Sequence, residues 1–317
     1  MSESDFLHDH DQFEDLLRIE AGDRRVLPSL VEKDYWVMHV LWGLGRLGWT
    51  FELKGGTSLS KGFGLIRRFS EDLDLRIAPE AAPFSVSTRK NQSKPKHVET
   101  RRRFFDWLAK QIEIPGIVAV ARDTSFDDRL MRSAGIRLTY ESPFEVHPEL
   151  KEGILLEVGF DQTRPSIDCA ISSWAFDRAR GAAVACVDNR ALGVSCYHPG
   201  YTLVEKLQAI STTYRTYVNT GISPANFIRH YFDVRHQLEA ELVREFIGTE
   251  KYRRHKAERF RREDEPDLTL NPAFLLEDPA KRAEFAAAFH AKRDFYFGNE
   301  ESFEEILERI REDLPRL

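Results

Sequence analysis

A chain of 317 residues, 42% hydrophobic and 31% charged, is long enough for one large domain or two ordinary ones and can bury a sizeable core. The net charge of −6 gives no whole-molecule attraction to nucleic acid, and no apolar run approaches the ~20 residues of a membrane helix. The segment Met1 to Glu14 is acidic without an apolar signal core, and the three cysteines (Cys169, Cys186, Cys196) lack metal-type spacing, which predicts a cytoplasmic protein with reduced, buried thiols.

Helical spacing of apolar residues begins at Phe13 to Leu17 and resumes from Leu27 to Leu47, with Pro28 near the helix start, where proline is tolerated. Val31, Tyr35, Met38 and Trp42 can share one face, while Glu32-Lys33-Asp34 are expected to point elsewhere. The terminal run His8-Asp9-His10-Asp11 reads as an unpacked end rather than a metal site. Phe51-Glu52-Leu53 predicts a short strand that stops at Gly55-Gly56, and a helix is expected over 58–65. Leu73 to Ile77 alternates as a strand does. A polar, basic loop over 84–97 and a helix over 99–112 follow. Strands are predicted over 117–121, 136–140 and 154–160, the last two separated by turn-rich sequence around Ser142-Pro143, His147-Pro148 and Gly153. A hairpin is predicted from 184–187 and 194–197. After Tyr197 the strand signal ends. Leu203 to Ile210 and Ala225 to Leu242 read as helices, and the remainder is rich in Glu, Arg, Ala and Phe. The pattern predicts an α+β fold: a mixed-sheet domain over 1–197, then a mainly helical domain over 198–317.

The chemistry is concentrated in Lys54-Gly-Gly-Thr-Ser-Leu59 and Arg68-Phe-Ser-Glu-Asp-Leu-Asp-Leu75. Gly55 and Gly56 can adopt conformations closed to other residues, Thr57 and Ser58 offer hydroxyls, and a following helix start offers backbone N–H groups to an anion. Lys54, Lys61, Arg67 and Arg68 surround that loop with positive charge. On a strand, Asp72 and Asp74 share a face while Leu73 and Leu75 enter the core. Two adjacent acids invite a divalent cation, and Mg²⁺ readily bridges carboxylates to phosphates. In a two-metal arrangement the ions lie ~4 Å apart and serve the attacking and leaving oxygens. Glu157 is the best positional candidate for a third acid, ahead of Asp161 and Asp168, and a structural salt bridge explains it equally well. Arg68 and Ser70 are placed to touch phosphate, and a phosphate on Ser70 would oppose NTP binding. Arg101-Arg102-Arg103 and the run from Lys251 to Arg262 are either solvated faces or a track for an acceptor's phosphate backbone. No Walker-type loop and no Ser/His/Asp order stands out.

These motifs, with Glu32-Lys-Asp-Tyr-Trp-Val37 before them and Glu205-Lys-Leu-Gln-Ala209 and His230-Tyr-Phe-Asp233 after them, resemble the AbiEii/MenT-type nucleotidyltransferase toxins of the DNA polymerase β-like superfamily. The resemblance spans Glu32 to about Gln237. It implies Mg²⁺-dependent transfer of NMP from an NTP, with the 3′ end of tRNA as the leading acceptor, and a role as toxin beside a cognate antitoxin protein. It carries metal binding to Asp72 and Asp74, and catalytic roles also to Lys206 and Asp233. The helical half would complete the active-site cleft. From the residues alone, Asp233 can pair with Lys206, act on the acceptor hydroxyl, or join Arg229 or Arg235. Transfer to a small molecule or a protein hydroxyl, and a non-catalytic RNA-binding protein on the same fold, are the competing readings.

Overall fold

Alternation organises the first half of the chain. Within Asp72-Leu-Asp-Leu-Arg-Ile77 every second residue is buried, as a strand with one core face requires. A computed structural model describes residues 5–89, 91–145, 150–161, 163–223, 226–298 and 300–317. His147, Pro148 and Ala225 of the predicted turn and helix lie outside the described residues. The chain divides into two compact units: 1–62 with 70–197, and 63–69 with 198–317.

The first unit holds helices α1 (Phe13–Arg24) and α2 (Pro28–Arg46), strand β1 (Phe51–Lys54), a helical turn α3 (Gly55–Thr57) that runs on through 58–62, and β2 (Asp72–Ile77). Then come α4 (Pro95–Gln111), β3 (Ile117–Asp123), β4 (Ser133–Tyr140), β5 (Ile154–Gly159), β6 (Ser166–Ile171), α5 (Trp174–Gly181) and β7 (Ala191–Tyr197). The strands form one mixed sheet in the order β3-β4-β5-β2-β1-β7-β6. β2–β5 and β1–β7 are parallel, and the other neighbours are antiparallel. β2 is therefore central, and Asp74 stands opposite Lys54 on one side and Glu157 on the other.

α2 is the spine of this unit. Leu30, Val31, Tyr35, Val37, Met38, Val40, Leu41 and Leu44 are all buried, so the helix is covered all round rather than on one stripe. Its close approach to the chain after α4 needs Gly43, where a Cβ would strike Ile114.

Four expectations are corrected here. Glu32, Lys33 and Asp34 do not point to solvent; all three are buried and paired. His8 is packed, not loose: its Nδ1 meets the Tyr35 hydroxyl at 2.8 Å and its ring lies against Trp36 and His39. Residues 184–187 form no strand; β7 pairs instead with β6, which alternates too weakly to be read from sequence because Ile167 and Asp168 are both exposed. Arg101 is fully buried and donates to the carbonyls of Leu130, Ser87 and Gln92, so it ties loops to α4 rather than tracking phosphates.

The second unit is helical: α6 (Pro199–Thr220), α7 (Arg229–Gln237), α8 (Glu241–Phe246), α9 (Glu250–Arg259), α10 (Pro272–Leu275), α11 (Pro279–His290) and α12 (Phe303–Asp313). An aromatic core of Phe227, Tyr231, Phe274, Phe285 and Phe303 holds it together through edge and tilted ring contacts. The segment 63–69 joins this unit by backbone pairing, Phe69 N–H to the Phe295 carbonyl at 2.9 Å and Phe297 N–H to the Arg67 carbonyl at 2.7 Å. That pairing carries Arg68 into the helical unit. No helix among the described residues is long and apolar enough to cross a membrane.

Candidate active site

The first unit brings together Lys54, Gly55, Gly56, Thr57, Ser58, Ser70, Asp72, Asp74 and Glu157, and the second brings together Arg68, Lys206 and Asp233. In the first group, β1 ends at Lys54 and the backbone reverses at Gly55 with φ of +72°, a region that favours glycine. A Cβ at Gly55 would collide with Asp74 Oδ2, so the loop backbone and the clamp carboxylate are in direct contact. Thr57 is buried, and its hydroxyl donates to the Asp72 carbonyl at 2.6 Å. Thr57, a candidate phosphate ligand, uses that hydroxyl to lock the glycine loop onto the first residue of β2. Ser58 is also buried, so neither hydroxyl lies open at the loop surface. Lys54 lies 3.7 Å from Asp161, and Lys61 is paired with Asp34 of α2 at 2.7 Å.

The clamp itself is asymmetric. Asp72 Oδ2 accepts from Lys151 Nζ at 2.6 Å. Its other oxygen, Oδ1, is buried with no hydrogen-bond partner among the described residues. A buried carboxylate oxygen with no donor is costly unless a cation meets it. Asp72 and Asp74 on one strand face, with that orphaned oxygen, fit a divalent metal with hard oxygen ligands. Glu157 is the register neighbour of Asp74. No group of three or more His, Cys, Asp or Glu side chains among the described residues is gathered to hold an ion, so the predicted trio of Asp72, Asp74 and Glu157 is not preassembled. Asp161 and Asp168, the other candidate acids, meet Lys54 and Ser195.

The residues that sequence reasoning missed sit behind Asp72. Lys33, on α2, donates to Glu71 Oε2 at 2.7 Å and to the Lys151 carbonyl. Glu71 Oε2 also accepts the Lys151 backbone N–H at 2.9 Å. Burial pushes the Lys33 pKa down, against the pull of Glu71. A signal was present: on a helix, residue 33 shares its stripe with Val37, Val40 and Leu44. A lysine on an apolar stripe needs a buried partner.

In the second group Asp233 is fully buried and meets two cations. Arg68 donates to Oδ1 through Nε at 2.6 Å and to Oδ2 through a terminal nitrogen at 2.7 Å, the bidentate fork that guanidinium makes with carboxylate. Lys206 Nζ lies 2.7 Å from Oδ2. Burial would raise the Asp233 pKa, but Arg68 and Lys206 outweigh it and hold the carboxyl well below its usual range. Burial lowers the Lys206 pKa, with Asp233 opposing. Of the three partners left open for Asp233, the structure therefore gives Lys206, and it adds Arg68, which sequence reasoning had assigned to phosphate. The neighbouring His230 is kept neutral, first by burial and then by the charge of Lys206.

The chain thus sets a glycine turn against a pair of strand-borne acids, a geometry suited to phosphate chemistry. Its fold is similar to the solved structure of MenT4, a nucleotidyltransferase toxin from Mycobacterium tuberculosis H37Rv, with a TM-score of 0.51 at 17% identity, covering 95% of this chain and 96% of that chain. Comparison with curated proteins finds no match. Residues 44–309 match the family described as nucleotidyl transferase AbiEii toxin, type IV TA system. The chain belongs to that family of nucleotidyltransferase toxins.

Proposed function

We propose that this toxin transfers NMP from an NTP to the 3′ end of tRNA, with Mg²⁺ held at Asp72 and Asp74. The observation that carries the reading is the contact between Gly55 and the Asp74 carboxylate, beside the orphaned oxygen of Asp72. It puts a glycine turn and a pair of acids at one point on the sheet. In the reaction the acceptor hydroxyl oxygen bonds to the α-phosphorus, the α–β phosphoanhydride breaks, pyrophosphate leaves, and the hydroxyl proton passes to solvent. Mg²⁺ would supply charge neutralisation to the phosphates when bound. Gly55 and Gly56 let the backbone approach the triphosphate, and Lys54 contributes charge at its edge. Ser70, two residues before Asp72, is assigned to triphosphate contact. Glu157, the register neighbour of Asp74, would be the third acid ligand.

Lys206 and Arg68 are the cations assigned to the triphosphate, and Asp233 is the residue that orients them. Being fully buried with both oxygens occupied, Asp233 acts through Lys206 and Arg68. The tRNA reading draws support from α9 and the residues after it, where Lys251, Arg253, Arg254, Arg261 and Arg262 are exposed. Clustered exposed cations suit a phosphate backbone. A cytoplasmic location and a cognate antitoxin protein as partner follow from the toxin reading.

The test is label transfer from each α-³²P-NTP to total tRNA with Mg²⁺. Wild type should label tRNA, chelation of Mg²⁺ should stop it, and Asp72→Ala should abolish it while the melting curve is retained. Full activity in Asp72→Ala would sink the mechanism, and labelling of protein or small molecules but not tRNA would move the acceptor.

A further inference from the structure

Lys151 is the one cation on the Asp72 carboxylate among the described residues, and it is held there indirectly. Its backbone is pinned twice, the N–H to Glu71 Oε2 at 2.9 Å and the carbonyl to Lys33 Nζ. Glu71 and Lys33 are themselves joined at 2.7 Å. This closed set fixes the Lys151 main chain beside Asp72 and leaves the four-carbon side chain to deliver the charge. Nζ reaches Asp72 Oδ2 at 2.6 Å and lies 4.8 Å from the centre of the Phe126 ring. The Lys151 side chain is 29% exposed, against 3% for Lys33. The pinning lysine is therefore buried, and the delivered one is open to water.

We propose that Lys151 is a resident counter-ion of the metal clamp: it neutralises Asp72 in the metal-free protein and yields that oxygen when a divalent cation binds. The proposal rests on the reading of Asp72 as a metal ligand. Two acids on one strand face repel each other in the absence of metal, and a tethered ammonium offsets that repulsion without occupying Oδ1. Arrival of a divalent cation at Oδ1 places like charge beside Nζ. The ammonium then moves off Oδ2, while Glu71 and Lys33 keep the main chain in place and the Phe126 face remains as a partner for the displaced charge. Lys33 and Glu71 are positioning residues in this scheme, since they act only through Lys151.

The consequence is competition, and it is measurable without turnover. Mn²⁺ is titrated into the full-length protein with no nucleotide present, and free Mn²⁺ is read by electron paramagnetic resonance. Lys151→Met and Lys151→Gln should each bind Mn²⁺ about tenfold tighter than wild type, the scale of losing one charged hydrogen bond that metal must otherwise break. The same substitutions in an Asp72→Asn background should give no gain. Lys33→Met, which frees the Lys151 main chain, should tighten binding by less. Unchanged or weaker Mn²⁺ binding in both Lys151 variants, with Asp72→Asn still weakening it, would overturn the counter-ion alone. Mn²⁺ binding indifferent to Asp72→Asn would overturn both the clamp and the proposal. A thermal-melt comparison of the metal-free proteins keeps the variants interpretable, because a partly exposed lysine is not expected to govern folding.

Discussion

Two lysine–aspartate pairs of nearly equal length do opposite things. Lys151 meets Asp72 at 2.6 Å in the sheet unit, and Lys206 meets Asp233 at 2.7 Å in the helical unit. Asp233 is fully buried, both of its oxygens are occupied, and a guanidinium fork completes the set. Among the described residues Asp72 keeps one oxygen without a hydrogen-bond partner, and its lysine is partly open to water. Distance therefore says little about whether an ion pair is structural or exchangeable. The number of partners and their access to water decide it.

The largest effect expected from breaking this contrast is at Asp233. Asp233→Ala leaves the Arg68 guanidinium and the Lys206 ammonium buried together without a counter-charge, which should cost about 3–5 kcal/mol of stability. Asp72→Ala should cost less than about 1 kcal/mol, because the lysine it releases is already partly open to water. Urea unfolding of the two variants checks the pair. Equal losses would mean that the two pairs are the same kind of interaction.

A third buried acid extends the comparison. Among the described residues Glu32 forms no ion pair, and the Ser142 hydroxyl donates to it at 2.6 Å. Burial raises its pKa to about 7, with the Ser142 hydrogen bond opposing. A raised folded-state value means that its contribution is fully present below the unfolded value of 4.5 and is lost as pH climbs through about 7. Glu32→Gln removes that loss. The stability of Glu32→Gln relative to wild type should therefore increase between pH 4.5 and 7, by up to about 3 kcal/mol from the size of the shift. Chemical denaturation at pH 5 and pH 7 measures it. A pH-independent difference would show that Glu32 is ionised in the folded protein.

What the sequence made legible follows the same division. The turn at Gly55 and the shared face of Asp72 and Asp74 could be read because they come from local rules, backbone freedom at the glycine and alternation along the strand. The end of strand signal at Tyr197 was equally local. Lys33, Glu71 and Lys151 were not read, because their partnership joins residues 38 and 118 positions apart and depends on where α2 crosses the sheet. Arg101 misled for a related reason. Three consecutive arginines look like a solvated run, yet on α4 the first faces inward and is buried beneath loop carbonyls, while Arg102 and Arg103 remain exposed. β6 was missed because two of its central residues are exposed and break the alternation.

A modest stability change with a large functional one is expected at Gly55. Alanine there must adopt a φ near +72°, and its Cβ must displace the Asp74 carboxylate. The backbone strain is worth about 1–3 kcal/mol, and Asp74 can relieve the clash by rotating away, so the fold should survive. Rotation removes one of the two proposed metal ligands without changing any charge. Gly55→Ala should therefore lose NMP transfer nearly as completely as Asp72→Ala, and also bind Mn²⁺ more weakly, whereas Gly64→Ala should do neither. Gly64 also has a positive φ, +64°, but nothing lies within 4 Å of its added Cβ. The two alanines carry comparable backbone strain, and only one touches the clamp. Equal activity losses would assign the effect to strain, and normal Mn²⁺ binding by Gly55→Ala would separate the glycine loop from the metal.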